Sequence, residues 1–258
     1  MAETITLCNQ KGGVGKTTTA INLSSYLALE GKRVLLVDLD PQSNATSGLG
    51  QDKKQISESI YQVLLGEVAL EKIIRPMEIP NLFLAPSHPD LTGAEVELVA
   101  TLGREYRLRN VLQSVSPSYD FILVDCPPSL GLLTINALAA AQSVLIPVQC
   151  EYFALEGLSQ LLDTIQLVRS QLNPSLATRG VLLTMADFRT NLTDQVITEA
   201  RSFFKEKVYQ TVIPRSIRLS EAPGFGKPIA LYDNQCLGAQ KYQELSREFL
   251  GTACEAKG

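Results

Sequence analysis

A stretch rich in glycine and lysine near the N-terminus has the residue types that hold a phosphate group. It reads NQKGGVGKTTT from Asn9 to Thr19, between an apolar run and a run compatible with a helix. The glycines let backbone N–H groups turn toward an anion, Lys16 adds positive charge, and the Thr17 hydroxyl can bind Mg²⁺. The stretch therefore predicts a nucleotide-binding loop, whose contacting residues are expected to be Lys11, Gly12, Gly13, Val14, Gly15, Lys16, Thr17 and Thr18.

One lysine of this stretch departs from the standard phosphate-binding loop. In the pattern G-x-x-x-x-G-K-[ST] the first glycine would fall at position 10, where the chain has Gln10, and a second lysine, Lys11, follows it. Lys16 already serves the nucleotide of its own chain. Lys11 can therefore reach a nucleotide that is held by another copy of the chain.

Short apolar runs alternate with longer helix-compatible stretches along the chain. The predicted strands are Thr4–Cys8, Arg33–Val37, Leu82–Ala85, Phe121–Val124, Ser143–Pro147 and Gly180–Thr184. The predicted helices are Thr17–Glu30, Arg104–Val115, Leu133–Ala141, Leu155–Leu172, Thr193–Lys205 and Gly238–Phe249, with short helices at the sheet edge within Gln51–Glu78. This alternation predicts an α/β fold with a doubly wound, mostly parallel sheet and helices on both faces. We expect one domain over residues 1–258, with a flexible tail at 251–258.

Three aspartates lie at the ends of predicted strands. Asp38 and Asp40 come at the end of the second strand, and Asp125 ends a later one. In sheets of this kind ligands bind at the carboxyl ends of the strands, where the glycine-rich loop also lies. These side chains are therefore expected to converge on the bound phosphates. An isolated aspartate at a strand end is more often a turn or cap residue, so the assignment depends on the motif context.

The order and content of these motifs resemble those of the ParA/MinD ATPases, which carry a deviant Walker A motif of the form KGGxGKTT. The sequence at Val34–Gln42 is similar to the second motif of that family, and Phe121–Ser129 is similar to its Walker B segment. Gly131–Thr134, Pro147–Glu151 and Pro214–Pro223 resemble the chromosome-partitioning branch, ParA/Soj. The resemblance covers nearly the whole chain and implies a P-loop NTPase fold, ATP and Mg²⁺ as cofactors, and slow ATP hydrolysis.

The resemblance also implies roles for individual residues. Asp40 corresponds to the aspartate that orients or activates the attacking water, and Asp125 to the acid that holds Mg²⁺ together with Thr17. Asp38 is expected to support the metal shell. Lys11 is expected to contact the nucleotide of a second chain, so that two chains enclose two ATP molecules in a homodimer that hydrolysis weakens. The expected catalytic residues are Lys11, Lys16 and Asp40.

Two further regions are assigned by the same resemblance. Pro214 and Ser216 are expected to lie against the adenine, although the family often has asparagine at the position of Ser216. Non-specific DNA binding by the ATP-bound dimer needs cations on the phosphate backbone. Relatives usually carry basic residues where this chain has Asn234–Leu237, so its DNA-binding patch is expected to be weaker or shifted. The expected DNA-binding residues are Arg189, Arg218, Arg215 and Lys227.

The composition limits the other possibilities. The chain has 258 residues and a formal net charge of −4, so any DNA contact must come from a local patch. Its five cysteines are widely spaced, without a C-x-x-C pair, which argues against structural zinc and fits a reducing cytosol. No run approaches the about 20 apolar residues that span a bilayer, and no secretory signal is visible. We expect a cytoplasmic, nucleoid-associated protein.

Three functions are weighed on this basis. The first is a DNA-partitioning ATPase whose hydrolysis is stimulated by a ParB-like, centromere-binding partner. The second is a membrane-cycling regulator of the MinD type, which needs a C-terminal amphipathic helix. Ser246–Gly258 has two bulky apolar residues followed by small and acidic ones, so we expect no stable membrane anchor. The third is a P-loop metabolic enzyme or electron donor, such as a relative of the nitrogenase iron protein. It needs two cysteines per chain that are spaced for an iron–sulfur cluster, and this chain shows no such spacing.

Overall fold

Seven strands form one sheet in the part of the chain that the structure, a computed structural model, describes: residues 1–151 and 158–251. The strands are β1 (Glu3–Leu7), β2 (Val34–Asp38), β3 (Arg75–Pro76), β4 (Leu82–Ala85), β5 (Phe121–Asp125), β6 (Ser143–Gln149) and β7 (Ala177–Thr184). Their order in the sheet is β3-β4-β2-β5-β1-β6-β7. Neighbouring strands are parallel except for β3, which pairs antiparallel with β4 at one edge.

Helices cover both faces of this sheet. They are α1 (Lys16–Leu29), α2 (Asn44–Gly48), α3 (Ile60–Leu65), α4 (Leu70–Ile73), α5 (Leu91–Glu97), α6 (Arg107–Val115), α7 (Leu132–Ala140), α8 (Leu158–Gln171), α9 (Asn191–Phe204), α10 (Ile217–Glu221), α11 (Ile229–Tyr232) and α12 (Leu237–Phe249). None of the helices within the described ranges is long and apolar enough to cross a membrane.

Alternate residues of β2 show how the two faces are filled. Val34 and Leu36 belong to a core cluster with residues of α1 and α12, whereas Leu35 and Val37 belong to a second cluster with residues of α3 and α6. All five residues of β2 are buried, which is why the strand is apolar throughout instead of alternating. The doubly wound α/β fold predicted from the sequence is confirmed.

Most predicted elements lie within three residues of the observed ones, and the differences have local causes. The predicted helix from Arg104 begins with a 3-10 turn at Arg104–Tyr106 before α6. The polar excursion contains a 3-10 turn, α3, α4 and also β3, whose two residues are too few for a periodic pattern. The start of the predicted helix Leu155–Leu172 and nearly all of the predicted tail lie outside the described residues. The single-domain assignment stays a prediction.

The register of the three central strands positions the site. Leu7 at the end of β1 lies beside Asp125 at the end of β5, and Asp38 at the end of β2 lies on the other side of Asp125. The glycine-rich loop follows Leu7 directly and leads into α1. The loop and two of the three aspartates therefore meet at the carboxyl edge of the sheet, as expected from the sequence.

Candidate nucleotide-binding and switch site

The backbone of the glycine-rich loop depends on two glycines with positive φ. Gly13 has φ 76° and Gly15 has φ 88°, a region that residues with a side chain rarely adopt. Gly15 is the N-cap of α1 and leaves the helix without a side-chain cap. The first N–H groups of this 14-residue helix are thus available to an anion, which is also favoured by the helix dipole.

The side chains of Asn9, within the loop, and of Thr184, at the end of β7, hold the loop in place. The Asn9 amide donates to the Pro147 carbonyl at 2.7 Å, and the Asn9 carbonyl oxygen of the side chain accepts from the Lys11 N–H at 3.0 Å. The Thr184 hydroxyl donates to the Val14 carbonyl at 2.8 Å. Sequence reasoning missed both functions. Asn9 lies within the motif, but the role of Thr184 at the end of β7 has no local signal.

Lys16 lies inside the loop and not in solvent. Its ammonium donates to the Lys11 carbonyl at 3.1 Å, and only 6% of the residue is exposed. Burial lowers the pKa of Lys16, while the nearby Asp125 carboxylate raises it. Val14 is buried beneath the loop, and Thr17 and Thr18 are half-buried at the start of α1. The structure therefore brings the predicted phosphate-binding residues together.

Asp125 is a fully buried carboxylate with unused acceptors. Neither oxygen has a hydrogen bond of ordinary geometry among the described residues, although the Thr17 hydroxyl is close enough to act on its pKa. Burial, followed by the charge of Asp38, holds the pKa of Asp125 well above its usual range. A buried carboxylate in this state gains from a cation, so the position fits the predicted Mg²⁺ site.

Metal binding here would need the nucleotide. Within residues 1–151 and 158–251 no group of three or more His, Cys, Asp or Glu side chains is arranged to hold a metal ion. Mg²⁺ is commonly bound by one or two protein oxygens together with water and substrate phosphates. Thr17 and Asp125 supply such a partial set beside the loop.

Asp38 has a different environment from Asp125. One oxygen accepts from the Thr46 N–H at 2.8 Å and from the Thr46 hydroxyl at 2.7 Å, and the other accepts from the Asp40 N–H at 3.2 Å. Burial raises the pKa of Asp38 to about 6, against the effect of these hydrogen bonds. The carboxylate is thus engaged in holding the turn after β2. Its role in the metal shell stays a prediction.

Asp40 sits in that turn with 6% of its surface exposed. One carboxylate oxygen accepts from the Gln42 N–H at 2.9 Å, and its carbonyl accepts from the Ser43 N–H at 2.8 Å. Ser43 has φ 55°, so the turn is tight and left-handed at that residue. Asp38, Asp40 and Asp125 are called the acidic cluster below. The charges of Asp38 and Asp40 both raise the pKa of Asp125.

A cavity of about 130 Å³ opens beside the loop. Pro214 and Ser216, the two residues expected at the adenine, line it together with Gly15 and Thr18. The cavity also includes Tyr242 of α12, whose hydroxyl lies 3.0 Å from the Thr19 hydroxyl in the buried interior. Its position next to the phosphate-binding loop suits the base and sugar of a nucleotide, and the adenine contacts stay predictions.

Lys11 points away from the phosphate-binding loop. Its ammonium lies 3.4 Å from the Glu151 carboxylate, and 44% of its side chain is exposed. Gly12 and Gly13 beside it are also exposed. The same carboxylate lies 3.7 Å from Arg215. Two cations of the outer surface therefore share one acid within the single chain.

The arginines expected to bind DNA are exposed but paired with acids. Arg189 forms an ion pair with Asp187 at 2.6 Å, and 86% of its side chain is exposed. Arg215 lies beside the same segment, because its backbone N–H donates to the Ala186 carbonyl at 3.0 Å. We call Arg189, Arg215 and Arg218 the basic surface. Lys227 is exposed just before α11.

Arg218 has two acidic partners. Its guanidinium lies 3.1 Å from Glu221 and 3.4 Å from Asp233, and 56% of its side chain is exposed. Together with the pairs above, every arginine of the basic surface has a carboxylate within 4 Å. The structure does not test DNA binding at these residues, so the assignment stays a prediction.

The glycine-rich loop, the buried lysine and the acidic cluster at the carboxyl edge of a doubly wound sheet define a P-loop nucleotide-binding protein. A family profile described as an AAA domain matches residues 2–178. The chain is 57% identical over 248 residues to the sporulation initiation inhibitor protein Soj of Bacillus subtilis, covering 96% of this chain and 98% of Soj. It is 56% identical to the chromosome partitioning protein ParA of Myxococcus xanthus, covering 95% and 87%.

A solved structure agrees with the fold. Cobyrinic acid a,c-diamide synthase from Mycobacterium smegmatis, with bound ADP and magnesium, has a TM-score of 0.86 and 37% identity, covering 97% of this chain and 94% of that one. The chain therefore belongs to the ParA/Soj family of partitioning ATPases, as the motif resemblance predicted. The bound ADP and magnesium of the solved structure agree with the cofactors expected from the sequence.

Proposed function

We propose that this chain is a DNA-partitioning ATPase that works as an ATP-dependent switch. ATP binding pairs two chains, the homodimer binds DNA without sequence preference, and hydrolysis separates the chains. A ParB-like, centromere-binding partner stimulates that hydrolysis. The protein acts in the cytoplasm at the nucleoid. Its relatives Soj and ParA support the partitioning role.

The observation that carries the proposal is the different position and burial of two lysines in one loop. Lys16 is buried and directed across its own phosphate-binding loop, with its ammonium 3.1 Å from the Lys11 carbonyl. Lys11 is exposed and directed outward, toward Glu151. An outward cation at the entrance of an anion site adds little to the chain's own nucleotide. It is well placed for the phosphates of a nucleotide in a second chain.

Within one chain the residues divide the work of phosphoryl transfer to water. The loop N–H groups and Lys16 bind and orient the phosphates. Thr17 and Asp125 would hold Mg²⁺, which neutralises phosphate charge when it is bound. Asp40 orients the attacking water and accepts its proton. Such positioning and electrostatic stabilisation carry most of the catalysis in this class of reaction.

The test compares two lysine variants with the wild type in the presence of Mg²⁺ and a non-hydrolysable ATP analogue. Lys11→Gln removes the outward cation, and Lys72→Gln removes an exposed lysine in α4 as a matched control. Nucleotide binding is measured by fluorescence titration and association by light scattering. We expect Lys11→Gln to bind the analogue yet stay monomeric where the wild type and the control form dimers. Dimerisation of Lys11→Gln at wild-type concentrations would overturn the proposal.

A further inference from the structure

A closed set of buried hydrogen bonds surrounds the turn that carries Asp40. The Thr46 hydroxyl donates to Asp38 at 2.7 Å and accepts from the Ser87 N–H at 2.9 Å. The Ser87 hydroxyl donates to the Asp40 carbonyl at 2.7 Å, and the Asp40 N–H donates to Asp38 at 3.2 Å. The bonds therefore return to Asp38, where they began.

This ring joins the segment from β2 to α2 with a residue that is distant in sequence, Ser87. Asp38 ends β2, Thr46 belongs to α2, and Ser87 follows β4 on the neighbouring strand. Thr46 and Ser87 are 41 residues apart, and Ser87 and Asp40 are 47 apart. Asp38, Thr46 and Ser87 are all completely buried, so water does not compete for these groups.

The direction of each bond is fixed by the groups that take part. The Ser87 N–H can only donate, so the Thr46 oxygen accepts from it and directs its own proton to Asp38. The Asp40 carbonyl can only accept, so the Ser87 hydroxyl donates to it. A buried polar group without a partner is costly, so breaking one bond favours movement of the group that lost it. The ring thus fixes both the N–H and the carbonyl of Asp40.

We propose that Thr46 and Ser87 are positioning residues for hydrolysis, which hold the Asp40 backbone so that its carboxylate faces the attacking water. The inference rests on the proposed role of Asp40 and adds two completely buried residues that do not line the cavity beside the loop. The effect on rate follows from geometry, because misplacement by about 1 Å can cost on the order of a hundredfold in rate. Ser87 further links the position of Asp40 to the segment that follows β4.

The test uses variants that remove a hydroxyl with little change in shape. Thr46→Val and Ser87→Ala break the ring, and Thr46→Ser keeps the donor that Thr46→Val lacks. Ser24→Ala is the matched control, because Ser24 is completely buried and its hydroxyl donates to the Ile21 carbonyl within α1. Steady-state phosphate release gives kcat, and a separate titration gives the dissociation constant of ATP. Melting temperatures set an assay temperature at which all variants are folded.

We expect Thr46→Val and Ser87→Ala to lower kcat by about tenfold to a hundredfold, with the ATP dissociation constant almost unchanged. Thr46→Ser should restore most of the rate, and Ser24→Ala should match the wild type. A loss of kcat that Thr46→Ser fails to restore would mean that the hydroxyl is not the cause. Wild-type kcat in both Thr46→Val and Ser87→Ala would overturn the inference.

A double-variant cycle separates this inference from the proposed function. If Ser87 acts through Asp40, adding Ser87→Ala to Asp40→Ala should lower the remaining rate no further. A further loss equal to that seen in the wild-type background would refute the proposed connection. Wild-type turnover in Asp40→Ala would instead remove Asp40 from its role, whatever the ring variants show.

Discussion

The acidic cluster and the basic surface are organised in opposite ways. The acidic cluster is buried, and Asp38 and Asp40 are held by hydrogen bonds from Thr46 nearby and from the distant Ser87. The basic surface is exposed, and each of its arginines is paired with an acid nearby. Exposed ion pairs contribute only about 0–1 kcal/mol each, so they are easily exchanged for other partners. The chemistry is thus preorganised in one chain, whereas the surface is ready to change partners.

This difference suggests where regulation acts. A buried ring of hydrogen bonds favours one geometry, so the turn that carries Asp40 is ordered within the single chain. Lys11 and the arginines of the basic surface are paired with carboxylates of the same chain. The overall charge of −4 adds no attraction for DNA. Association would bring phosphates to Lys11 and would offer DNA two copies of the basic surface. Four variants test the two halves of this comparison.

The largest effect on ATP affinity is expected from Lys16→Ala on the buried side. The substitution removes the cation inside the loop, so ATP affinity should fall by about a hundredfold or more, given the strength of hydrogen bonds to charged groups. Titration with a fluorescent ATP analogue measures the loss, and Lys72→Ala serves as the control. Tight ATP binding by a folded Lys16→Ala variant would contradict the phosphate-binding role.

Asp40→Ala should leave binding intact and remove turnover. Loss of a group that orients and deprotonates water lowers the rate by about a hundredfold to ten-thousandfold. The variant should therefore accumulate as an ATP-bound dimer. Phosphate release and light scattering on the same sample measure the two properties. Rapid turnover would show that the water is oriented by another residue.

The sequence predicted the strands and aspartates of the acidic cluster better than the hydrogen bonds that hold them. Buried parallel strands are continuous apolar runs, so β1, β2 and β5, and the aspartates that end β2 and β5, could be placed from the pattern. Thr46 and Ser87 could not, because their bonds join residues 41 and 47 positions apart and no short motif encodes them.

The acidic partners of the surface cations could likewise be predicted from the sequence only in part. Asp187 is two residues from Arg189 and could have been noted from the sequence. Glu151 is 140 residues from Lys11, and only the neighbouring positions of β1 and β6 in the sheet bring them together. Ion pairs between segments that follow different strands depend on the order of the strands in the sheet, and the sequence predicted only the fold class.

Arg189→Glu combined with Arg218→Glu tests the exposed side. If both arginines of each chain contact DNA phosphates, the dimer loses about four contacts, and the slope of log affinity against log salt should decrease in magnitude by about four, close to one per lost contact. ATP binding should be unchanged, because neither residue lines the cavity beside the loop. DNA-shift assays with ATP at several salt concentrations measure the slope. Arg109→Glu with Arg169→Glu removes two other exposed arginines as the control.

An unchanged, salt-sensitive DNA shift in the Arg189/Arg218 variant would place the DNA contact elsewhere. Lys227 and the segment around Asn234 would then be the next positions to test. An equal loss in the control pair would show a general effect of net charge. Either outcome would contradict the comparison, because the basic surface would then not be the region that exchanges its ion-pair partners for DNA.

The smallest effect is expected from Glu151→Gln, which tests the pairing itself. Glu151 holds Lys11 and Arg215 at 3.4 and 3.7 Å, but 43% of its side chain is exposed, so each contact is weak. Removing the charge should make Lys11 easier to transfer to a nucleotide in a second chain. We expect ATP-dependent dimerisation at a concentration lower by up to about fivefold, the range that exposed ion pairs allow.

Sedimentation of Glu151→Gln and of the exposed control Glu199→Gln, with the non-hydrolysable ATP analogue, measures this shift. Weaker dimerisation would mean that Glu151 supports the dimer, so that the pair with Lys11 organises the interface instead of opposing it. A shift that survives in the Lys11→Gln background would point to Arg215 as the cation released. A shift that disappears there would assign the effect to Lys11. The ion pairs of the surface would then be connected with nucleotide-dependent dimerisation through that residue.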